Sequence, residues 1–328
     1  MIVVTGGAGF IGSNLVATLN AAGHSEILVV DRFGDGDKWR NLARHEVAAL
    51  VPPEQLMSVL DANVGRIEGV FHMGAISATT ERDVDLIVRE NVATTLGLWD
   101  WCARHQVRLI YASSAATYGD GADGFEDDPS LDALARLKPM NPYGWSKHLV
   151  DRRVARILAS NGARPPQWAG LKFFNVYGPN EYHKGGQMSV VPQLVRQIQD
   201  GRPARLFRSH RADYAHGGQL RDFVWVGDVT AVMLWLWQRP DVSGLFNVGS
   251  GRARSFADLA RAVFVAMTLP ERIDYIDMPG DLRERYQYFT EARMDRLRAA
   301  GYDRPFTDLE VGVTVYVRDY LLAEDPYR

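Results

Sequence analysis

A tyrosine and a lysine in the segment NPYGWSKHL are the residues best suited to acid/base chemistry. Tyr143 and Lys147 are four positions apart, so a helix at this point places both side chains on one face. An ammonium group beside a phenol favours the phenolate and lowers the pKa of the tyrosine, which predicts that Tyr143 acts as a general base. The segment LIYASSAATYG, shortly before it, has a strand-like run that ends in Ser113 and Ser114, and a hydroxyl there can hydrogen-bond a substrate oxygen. A Tyr-x-x-x-Lys pair alone is weak support, because such pairs arise by chance on exposed helices.

A second basic group lies in the segment EYHKGGQMS, at residues 181–189. Lys184 is followed there by Gly185 and Gly186, which predicts a flexible loop. Two interpretations are open: a solvated surface charge, or a second acid/base group that works together with Tyr143. The choice between them decides which reaction the protein can catalyse.

A glycine-rich turn early in the chain predicts a dinucleotide site. The segment VVTGGAGFIGSN follows a β-rich run and opens a helical pattern, with Gly7, Gly9 and Gly12 in the G-x-G-x-x-G spacing. Glycines at these positions allow a tight turn and a close approach of the backbone to a pyrophosphate, which then contacts the N–H groups at the start of the helix. Asp31 follows Gly12 by nineteen residues, at the end of the next β-rich run, where an acidic residue accepts hydrogen bonds from a ribose.

The residues around Asp31 leave the choice of dinucleotide open. The carboxylate itself argues for NAD, whereas neighbouring cations can accommodate the 2'-phosphate of NADP. Arg32 follows Asp31 directly, and Lys38 and Arg40 come soon after. These three side chains either offset the repulsion of the carboxylate or form an ordinary solvated basic loop. We predict NADP, with NAD as the alternative.

Short β-rich runs alternate with helical patterns through the first half of the chain. The runs MIVVT, EILVVD, EGVFHMG and VRLIYASS are typical of buried parallel strands, with helical segments such as GSNLVATLNAAG between them. This alternation predicts an α/β fold, a Rossmann-type doubly wound parallel sheet with a smaller, discontinuous substrate-binding lobe. We assign residues 1–175 and about 223–252 to the nucleotide-binding domain, and about 176–222 and 253–328 to the smaller lobe.

The composition predicts an ordinary soluble, cytoplasmic protein. Of 328 residues, 46% are hydrophobic and 23% are charged, and the formal net charge of -3 gives no sign of a nucleic-acid surface. The segment MIVVTGGAGF has neither a charged n-region nor a cleavage site, and no apolar run reaches the roughly 20 residues that cross a bilayer. Cys102, the single cysteine, lies in an apolar helical pattern, so we expect a buried structural thiol; the eight histidines form no metal motif.

Taken together, these motifs resemble the extended short-chain dehydrogenase/reductases, NAD(P)-dependent enzymes that mostly act on nucleotide sugars. The likeness runs through TGGAGFIGSN, FHMGA, YASSAATYG, NPYGWSK, FFNVYGP, RDFVWVGDV and FNVGSG, and so extends over nearly the whole chain. It implies that Ser114, Tyr143 and Lys147 form the catalytic triad, and that Asn91 helps to hold the active-site helix, with a helix cap as the alternative for Asn91. It also implies a cofactor-binding set that consists of Gly7, Gly9, Phe10, Ile11, Gly12, Asp31, Arg32, Lys38, Met73, Gly74, Ala75, Ile76, Ser77, Asn91, Lys147 and Val176.

Within that family, the stretches GPNEYHKG, LRDFVWVGDV, RYQYFT and LRAAGYDRPF are similar to those of epimerases that invert C6'' of ADP-linked glycero-manno-heptose, from the D-glycero to the L-glycero form. This resemblance implies a transient oxidation to a 6''-keto sugar by tightly bound NADP, followed by reduction on the opposite face. Reduction on the same face would only restore the starting sugar, so the ketone must turn and a second proton donor must lie on its other side. Tyr143 and Lys184 would be the two acid/base groups, and repulsion from Lys147 and from the nicotinamide would lower the pKa of Lys184.

For the substrate, the resemblance points to polar and aromatic side chains in the second half of the chain. Arg221 has the clearest physical role, as a bidentate donor to the diphosphate, with an ion pair to Asp222 as the alternative. The chain departs from the family pattern between Arg208 and Leu220, where the loop looks longer, and Pro53 stands where a cofactor-contacting lysine is common. The full predicted set is Ser114, Asn175, Gly186, Gln193, Phe207, Arg208, Ser209, His210, Arg221 and Tyr286.

Two other kinds of function stand as alternatives. Another nucleotide-sugar epimerase or a dehydratase would keep the fold, but a dehydratase usually needs an acidic pair beside the catalytic serine, and Ala115 and Ala116 follow Ser114 here. A non-catalytic NADP-binding sensor would have no need of Ser114, Tyr143 and Lys147 together. The resemblance also implies a homo-oligomer, and we expect no nucleic-acid partner, no membrane partner and no metal.

Overall fold

A computed structural model describes residues 1–283 and 286–328 of the chain. The strands are rich in β-branched and other apolar residues, which favour an extended backbone and burial. In chain order they are β1 (Ile2–Thr5), β2 (Ile27–Val30), β3 (Ala49–Val51), β4 (Gly69–His72), β5 (Arg108–Ser114), β6 (Trp168–Phe173), β7 (Asn175–Tyr177), β8 (Ala204–Phe207), β9 (Leu220–Trp225), β10 (Gly244–Val248), β11 (Ala253–Ser255) and β12 (Ile273–Ile276).

Seven of these strands form one parallel sheet in the order β10-β6-β5-β4-β1-β2-β3. Ile2 of β1 pairs with Ile27 of β2 on one side and with Gly69 of β4 on the other. The strand order therefore reverses between β1 and β4, and in such sheets ligands bind at the carboxyl ends of the strands beside this point. The predicted doubly wound parallel sheet is confirmed.

Helices link the strands and cover both faces of the sheet. In chain order they are α1 (Phe10–Ala21), α2 (Leu56–Ala62), α3 (Val84–Ile87), α4 (Thr94–His105), α5 (Leu131–Arg136), α6 (Pro142–Ala159), α7 (Val190–Gln199), α8 (Val226–Gln238), α9 (Phe256–Met267), α10 (Gly280–Arg283), α11 (Asp295–Ala299) and α12 (Leu309–Val315). A π-helical turn, Val88–Ala93, joins α3 to α4, and another, Tyr316–Leu321, extends α12. Short 3-10 turns at Asp37–Leu42 and Tyr182–Gln187 lie in loops near the site.

Each face of the central sheet packs against its own layer of helices. Val4 lies in one buried cluster with Leu15 of α1, whereas its neighbour Val3 lies in another with Trp99 of α4. Alternate residues of a strand thus enter opposite cores, which is why the strands are apolar throughout. Cys102 is fully buried, and burial raises the pKa of its thiol to about 12, as expected of a structural residue.

A smaller lobe has a core of its own. It contains the three-stranded sheet β11-β9-β7 and the strand pair β12-β8. Leu194 of α7, Val263 of α9 and Val313 of α12 are buried in one apolar cluster. This cluster draws on chain segments both before and after β10, as a discontinuous lobe requires. The boundaries that we placed near residues 175, 222 and 252 stay a prediction.

Two features are absent from residues 1–283 and 286–328. No helix there is long and apolar enough to cross a membrane. No group of three or more His, Cys, Asp or Glu side chains in the same ranges is placed to hold a metal ion.

Candidate active site

A cleft of about 680 Å³ opens at the carboxyl ends of β1, β4, β5 and β6. It lies beside the reversal in strand order and extends from the glycine turn to Phe223 and Phe256 of the smaller lobe. The predicted site residues that line it are Gly9, Phe10, Ile11, Gly12, Asp31, Lys38, Met73, Gly74, Ala75, Ser77, Ser114, Tyr143, Lys147, Asn175, Val176, Lys184 and Gly186.

The glycine turn is wound too tightly for larger residues. Gly6 has a φ of 64°, a left-handed conformation that other residues rarely adopt. A Cβ atom on Gly12 would lie 2.0 Å from the Gly6 carbonyl oxygen, and one on Gly7 would lie 2.9 Å from the Val29 side chain. The turn is therefore a backbone cradle at the start of α1, which suits a pyrophosphate.

Asp31 is surrounded by donors at what we predict to be the ribose end of the cleft. One of its carboxylate oxygens accepts a hydrogen bond from the Ala8 amide at 2.9 Å, and the other accepts one from the Lys38 ammonium at 2.5 Å. Arg32 turns away towards Glu54 and lines a neighbouring cavity of about 250 Å³. Lys38 lines both the main cleft and this smaller cavity, whereas the Arg32 guanidinium is paired with Glu54.

Asn91 fastens the active-site helix from within the π-helical turn Val88–Ala93. It is fully buried. Its carboxamide accepts from the Ile76 amide at 2.8 Å and donates to the Ser146 hydroxyl at 3.1 Å. It therefore ties α6, which carries Tyr143, to the loop after β4, as the resemblance implied. Its link to the cofactor set is through Ile76, which lines the smaller cavity.

Ser114, Tyr143 and Lys147 come together through local structure. Ser114 is the last residue of β5. The Asn141 side chain caps α6 by accepting from the Gly144 amide at 2.8 Å, so Tyr143 lies in the first turn and Lys147 one turn later. All three predicted triad residues line the same wall of the cleft.

The protonation of this pair differs from the expectation. Burial raises the pKa of Tyr143, while a hydrogen bond with Ser114 lowers it. Lys147 donates instead to the Ala112 carbonyl at 2.8 Å. Burial lowers the pKa of Lys147 to about 8, and the Asp151 carboxylate acts in the opposite direction. The prediction that Lys147 lowers the pKa of Tyr143 is therefore wrong in this structure, because burial dominates and the ammonium is directed at a backbone oxygen.

Lys184 lines the same cleft from the 3-10 turn Tyr182–Gln187. Its ammonium lies 5.4 Å from the centre of the Phe10 ring, at the start of α1. Burial lowers the pKa of Lys184, and the Glu181 carboxylate opposes this shift. The predicted direction of the shift is confirmed, but its cause is burial and not repulsion by Lys147. A half-buried lysine in a cleft also argues against an ordinary solvated surface charge.

The side chains that fix this loop were not predicted from the sequence. Glu181 is fully buried, and its carboxylate accepts from the Ser189 amide and hydroxyl and from the Tyr316 hydroxyl at 3.0 Å. It therefore joins both ends of the loop to the π-helical turn after α12. Burial raises the pKa of Glu181, whereas the Ser189 hydrogen bonds lower it. The motif E-x-H-K-G contains Glu181. Its partner Tyr316 lies 135 positions away along the chain, so the motif could not indicate that contact.

His183, from the same motif, was also missed. It lines the cleft, and its Nδ1 lies 3.3 Å from the carboxamide nitrogen of Asn41, which also donates to the Asn180 carbonyl at 3.1 Å. Burial, together with the charges of Lys38 and Lys184, lowers the pKa of His183 to about 4. The His183 imidazole is therefore neutral and lies near both Lys38 and Lys184.

Arg221 is buried beside aromatic rings and is not paired with Asp222. Its guanidinium donates to the Leu220 carbonyl at 2.8 Å and lies 5.1 Å from the centre of the Tyr286 ring. The Asp222 carboxylate instead accepts from backbone amides, including that of Ser250. Burial lowers the pKa of Arg221, and within the described ranges its guanidinium forms no salt bridge. The alternative interpretation of Arg221 is therefore wrong, and its spare donors suit an anion.

The other predicted substrate residues differ in where the fold places them. Asn175 and Gly186 line the cleft. Phe207 packs edge-on against Tyr286, with ring centres 6.3 Å apart, and so belongs to the aromatic group around Arg221. The Gln193 carboxamide is occupied by a backbone contact inside the loop and α7, where it donates to a carbonyl at 2.9 Å.

The long loop after β8 is held by its own contacts. Arg208 forms an ion pair with Asp277 at 3.6 Å, and the His210 amide donates to the Tyr288 hydroxyl at 3.0 Å. The Ser209 hydroxyl donates to a carbonyl within the loop at 2.8 Å. These contacts leave the role of Arg208, Ser209 and His210 in substrate binding as a prediction.

Comparisons with known proteins show the family to which the chain belongs. A sequence model of the NAD dependent epimerase/dehydratase family matches residues 2–249. ADP-L-glycero-D-manno-heptose-6-epimerase of Nitratidesulfovibrio vulgaris strain DP4 is 50% identical over 329 residues, with 100% of both chains covered. The crystal structure of the Helicobacter pylori ADP-L-glycero-D-manno-heptose-6-epimerase superposes with a TM-score of 0.76 at 28% identity, over 97% of this chain and 95% of that one.

A solved structure with a different substrate name is also similar. The UDP-glucose 4-epimerase of Thermus thermophilus, in complex with NAD, matches with a TM-score of 0.75 at 26% identity, over 98% of this chain and 99% of that one. The glycine cradle, the Ser-Tyr-Lys wall and these likenesses lead to one conclusion. The chain belongs to the NAD dependent epimerase/dehydratase family.

Proposed function

We propose that the protein is an epimerase that inverts C6'' of ADP-linked glycero-manno-heptose, from the D-glycero to the L-glycero form. One observation carries the proposal: two half-buried acid/base groups, Tyr143 on α6 and Lys184 on a separate loop, line one cleft beside the glycine turn. An epimerase of this kind needs such a pair, because proton transfer has to serve both faces of the reacting carbon. The names of the relatives from N. vulgaris and H. pylori support the substrate.

The proposed cofactor is NADP, with NAD as the alternative. The family name and the NAD complex of the T. thermophilus enzyme support a nicotinamide dinucleotide. Two features of this chain fit a dinucleotide. One is the glycine cradle, where there is no room for a Cβ atom on Gly12, and the other is Asp31, whose carboxylate accepts from the Ala8 amide of the cradle. Lys38 beside Asp31 favours a 2'-phosphate, because its ammonium offsets the negative carboxylate. When bound, the dinucleotide supplies reversible oxidation at C6''.

On one wall of the cleft, Tyr143 exchanges a proton with the substrate hydroxyl. Ser114 lines the same wall, and its hydroxyl also binds that substrate oxygen and so aligns it with Tyr143. Lys147 has a pKa of about 8 and is therefore mainly protonated at neutral pH. It brings positive charge to the wall, where charge develops on oxygen during the reaction.

From its loop, Lys184 exchanges a proton after the ketone has turned about the C5''–C6'' bond. When one of the two groups accepts the proton of the starting hydroxyl, the other donates a proton to the product hydroxyl, and exchange with solvent restores both. Burial lowers the pKa of Lys184 and brings it closer to neutral pH, which suits a group that must both take up and release a proton.

Arg221 is the proposed anchor of the substrate diphosphate. Its guanidinium is buried between Tyr286 and Phe256 and has donors to spare. A buried cation without a carboxylate partner in the described ranges is costly unless an anion binds beside it. Phe256, whose ring centre lies 5.7 Å from the Arg221 guanidinium, also lines the cleft, so a diphosphate bound beside Arg221 would lie next to the cleft that Tyr143 and Lys184 line.

A second candidate is epimerisation of another nucleotide sugar, which the T. thermophilus relative suggests. A sugar ring that turns over as a whole can present both of its faces to Tyr143. Epimerisation at a ring carbon would therefore not require Lys184 as a second acid/base group. A dehydratase is disfavoured because Ala115 and Ala116 occupy the 3-10 turn after Ser114, where an acidic pair would be needed.

The test is direct conversion of the two heptose epimers. Purified protein is incubated with each C6'' epimer of the ADP-linked heptose, without added cofactor, and followed by NMR. We expect both reactions to reach the same mixture, because the bound dinucleotide is regenerated in every turnover. No conversion of either epimer, together with turnover of a different nucleotide sugar, would overturn the proposed substrate.

A further inference from the structure

The segment Asp325–Arg328, which we call the strap, packs against elements that border the cleft near its predicted ribose end. It follows the π-helical turn after α12. It contacts three separate elements: α1, the 3-10 turn Asp37–Leu42 with the residues that follow it, and the loop that carries Lys184. Each of these elements borders the proposed dinucleotide site.

The side chain and amide of Arg328 join the strap to α1 and to the start of the lysine loop. The guanidinium donates to the Asn14 carboxamide at 3.1 Å and to the Thr18 hydroxyl at 3.2 Å. The backbone amide donates to the Asn180 carboxamide at 3.0 Å. Asn180 is fully buried with a φ of 71°, a left-handed conformation that needs such support outside glycine, and it also donates to the Ser13 hydroxyl.

An aromatic contact joins the strap to the lysine loop itself. The rings of Tyr327 and Tyr182 pack edge-on with centres 5.3 Å apart, and the Tyr182 hydroxyl donates to the Pro326 carbonyl at 2.8 Å. Tyr182 lies two positions before Lys184. The Arg40 guanidinium lies 4.4 Å from the centre of the Tyr327 ring, and Tyr327 is buried. The loop is therefore packed against the strap at the turn that carries the lysine.

Polar contacts join the strap to the 3-10 turn Asp37–Leu42 and the residues that follow it, which together we call the ribose-end turn. Asp325 forms an ion pair with Arg44 at 2.6 Å, and a ring nitrogen of His45 lies 3.0 Å from the Arg328 carbonyl oxygen. Lys38, the cation beside Asp31, belongs to this turn. A single exposed ion pair contributes little to stability. Here the ion pair adds to the buried ring of Tyr327 and to the several hydrogen bonds of Arg328.

We infer that the strap is a positioning segment that holds Lys38 and Lys184 together against α1. Gly185 and Gly186 are exposed, so the loop depends on contacts with other elements, which come from Glu181, from Asn41 and from the strap. One segment thus couples retention of the dinucleotide at the ribose end to alignment of the second acid/base group. The Lys184 half of this inference rests on the proposed function, whereas the retention half does not.

The test compares Tyr327→Ala and Arg328→Ala with two matched variants. Tyr327→Phe keeps the ring and both of its contacts. Glu324→Ala changes an exposed residue directly before the strap. For each protein, the nucleotide that stays bound through gel filtration is measured, and then kcat and KM for the ADP-linked heptose, without and with saturating NADP.

We expect both alanine variants to lose most of their bound nucleotide. Their kcat should stay roughly tenfold or more below wild type even with saturating NADP, because small displacements of a catalytic group are costly. KM should change little, because the strap contacts α1, the ribose-end turn and the loop that carries Lys184. Within the described residues it does not contact Arg221, the proposed anchor of the substrate diphosphate. Tyr327→Phe and Glu324→Ala should match wild type. Wild-type retention in both alanine variants, or full recovery of kcat with added NADP, would overturn the inference.

A milder variant covers the case in which an alanine variant does not fold. Tyr182→Phe removes the hydrogen bond to Pro326 and keeps the ring contact. It should shift retention and kcat in the same direction by a smaller factor, and wild-type values in both would contradict the strap. If the wild-type protein converts neither epimer, the proposed function fails, while nucleotide retention still tests the strap.

Discussion

The two walls of the cleft hold their acid/base groups in different ways. On the Tyr143 wall, formed by β5 and α6, the group lies in the first turn of an 18-residue helix, which Asn141 caps and Asn91 fastens to the loop after β4. On the Lys184 wall, formed by the loop 180–189, it lies in a short 3-10 turn that side chains from distant parts of the chain hold in place. Secondary structure positions the first group, and tertiary contacts position the second.

This difference suits the proposed reaction. Tyr143 can remain in one place, whereas the group opposite has to meet a ketone that has turned between the two half-reactions. Loops with few buried contacts open and adjust at a lower free-energy cost than core helices do. We therefore expect the Lys184 wall to respond to substitutions far from the substrate, and the Tyr143 wall to resist them.

The largest effect is expected from removing Lys184 itself. Lys184→Ala should keep its bound nucleotide, because the glycine cradle and Asp31 are untouched. It should lower kcat by about 10²-fold or more, the usual contribution of a general acid or base. NMR conversion assays and nucleotide content measure the two outcomes, with the exposed Lys138→Ala as the matched control. Near wild-type turnover would remove Lys184 from the mechanism.

The second prediction uses the buried charge of the Tyr143 wall. Burial lowers the pKa of Lys147 from 10.5 to about 8, so between these pH values the unfolded chain binds more protons than the folded one. Relative to Lys147→Met, the free energy of unfolding of the wild-type protein should therefore rise by roughly 2 to 3 kcal/mol as the pH increases through this window. Urea unfolding of nucleotide-free protein at several pH values measures it.

The matched comparison is Lys184→Met, at the half-buried lysine of the other wall. Its pKa is also lowered by burial, but the Glu181 carboxylate opposes the shift. The corresponding rise in stability should therefore be smaller. An equal or larger rise at Lys184 would show that the two walls do not differ in how deeply they bury their lysines.

Local patterns in the sequence were sufficient to predict the Tyr143 wall and the glycine cradle. The cradle is a run of near neighbours, and the i, i+4 spacing of Tyr143 and Lys147 needs only one helix. The protonation of the pair was not predictable in the same way. It depends on burial and on the direction of the Lys147 ammonium, which points to Ala112, and no spacing rule contains that information.

The supports of the Lys184 wall lay beyond any local pattern. Glu181 and Tyr316 are 135 positions apart, and Tyr182 and Pro326 are 144 apart. The resemblance to known enzymes pointed to Lys184, but the side chains that hold it are brought together only by the fold. Gln193 shows the converse: we predicted that it binds the substrate, but its carboxamide nitrogen donates to a backbone carbonyl.

An intermediate effect is expected at Glu181, the buried anchor of the Lys184 wall. Glu181→Gln loses the charge-assisted hydrogen bonds to Ser189, so kcat should fall about tenfold. Because the Glu181 carboxylate raises the pKa of Lys184, its loss should also move the Lys184 limb of the pH profile of kcat to lower pH. Tyr316→Phe, which removes one donor to the same carboxylate, should have a smaller effect in kcat.

The pH profile separates a positioning role from a purely structural one for Glu181. A change in folding stability alone would lower the amount of active protein without moving either limb of the profile. A tenfold loss of kcat with an unshifted profile would therefore indicate that Glu181 shapes the loop but does not influence the charge of Lys184.

The smallest effect is expected at Lys38, on the ribose-end turn beside the Lys184 wall. Lys38→Ala should weaken binding of NADP by about threefold to fivefold, because an exposed 2'-phosphate would lose one cationic partner. Binding of NAD should change little or improve, since Asp31 is then free to accept from the ribose hydroxyls. Titration of nucleotide-free protein with both dinucleotides measures this. Arg32→Ala is the matched control, because its guanidinium pairs with Glu54 outside the cleft. A larger loss of NADP binding at Arg32 than at Lys38 would show that Arg32 is the main partner of the 2'-phosphate and would separate cofactor choice from the turn that the strap holds.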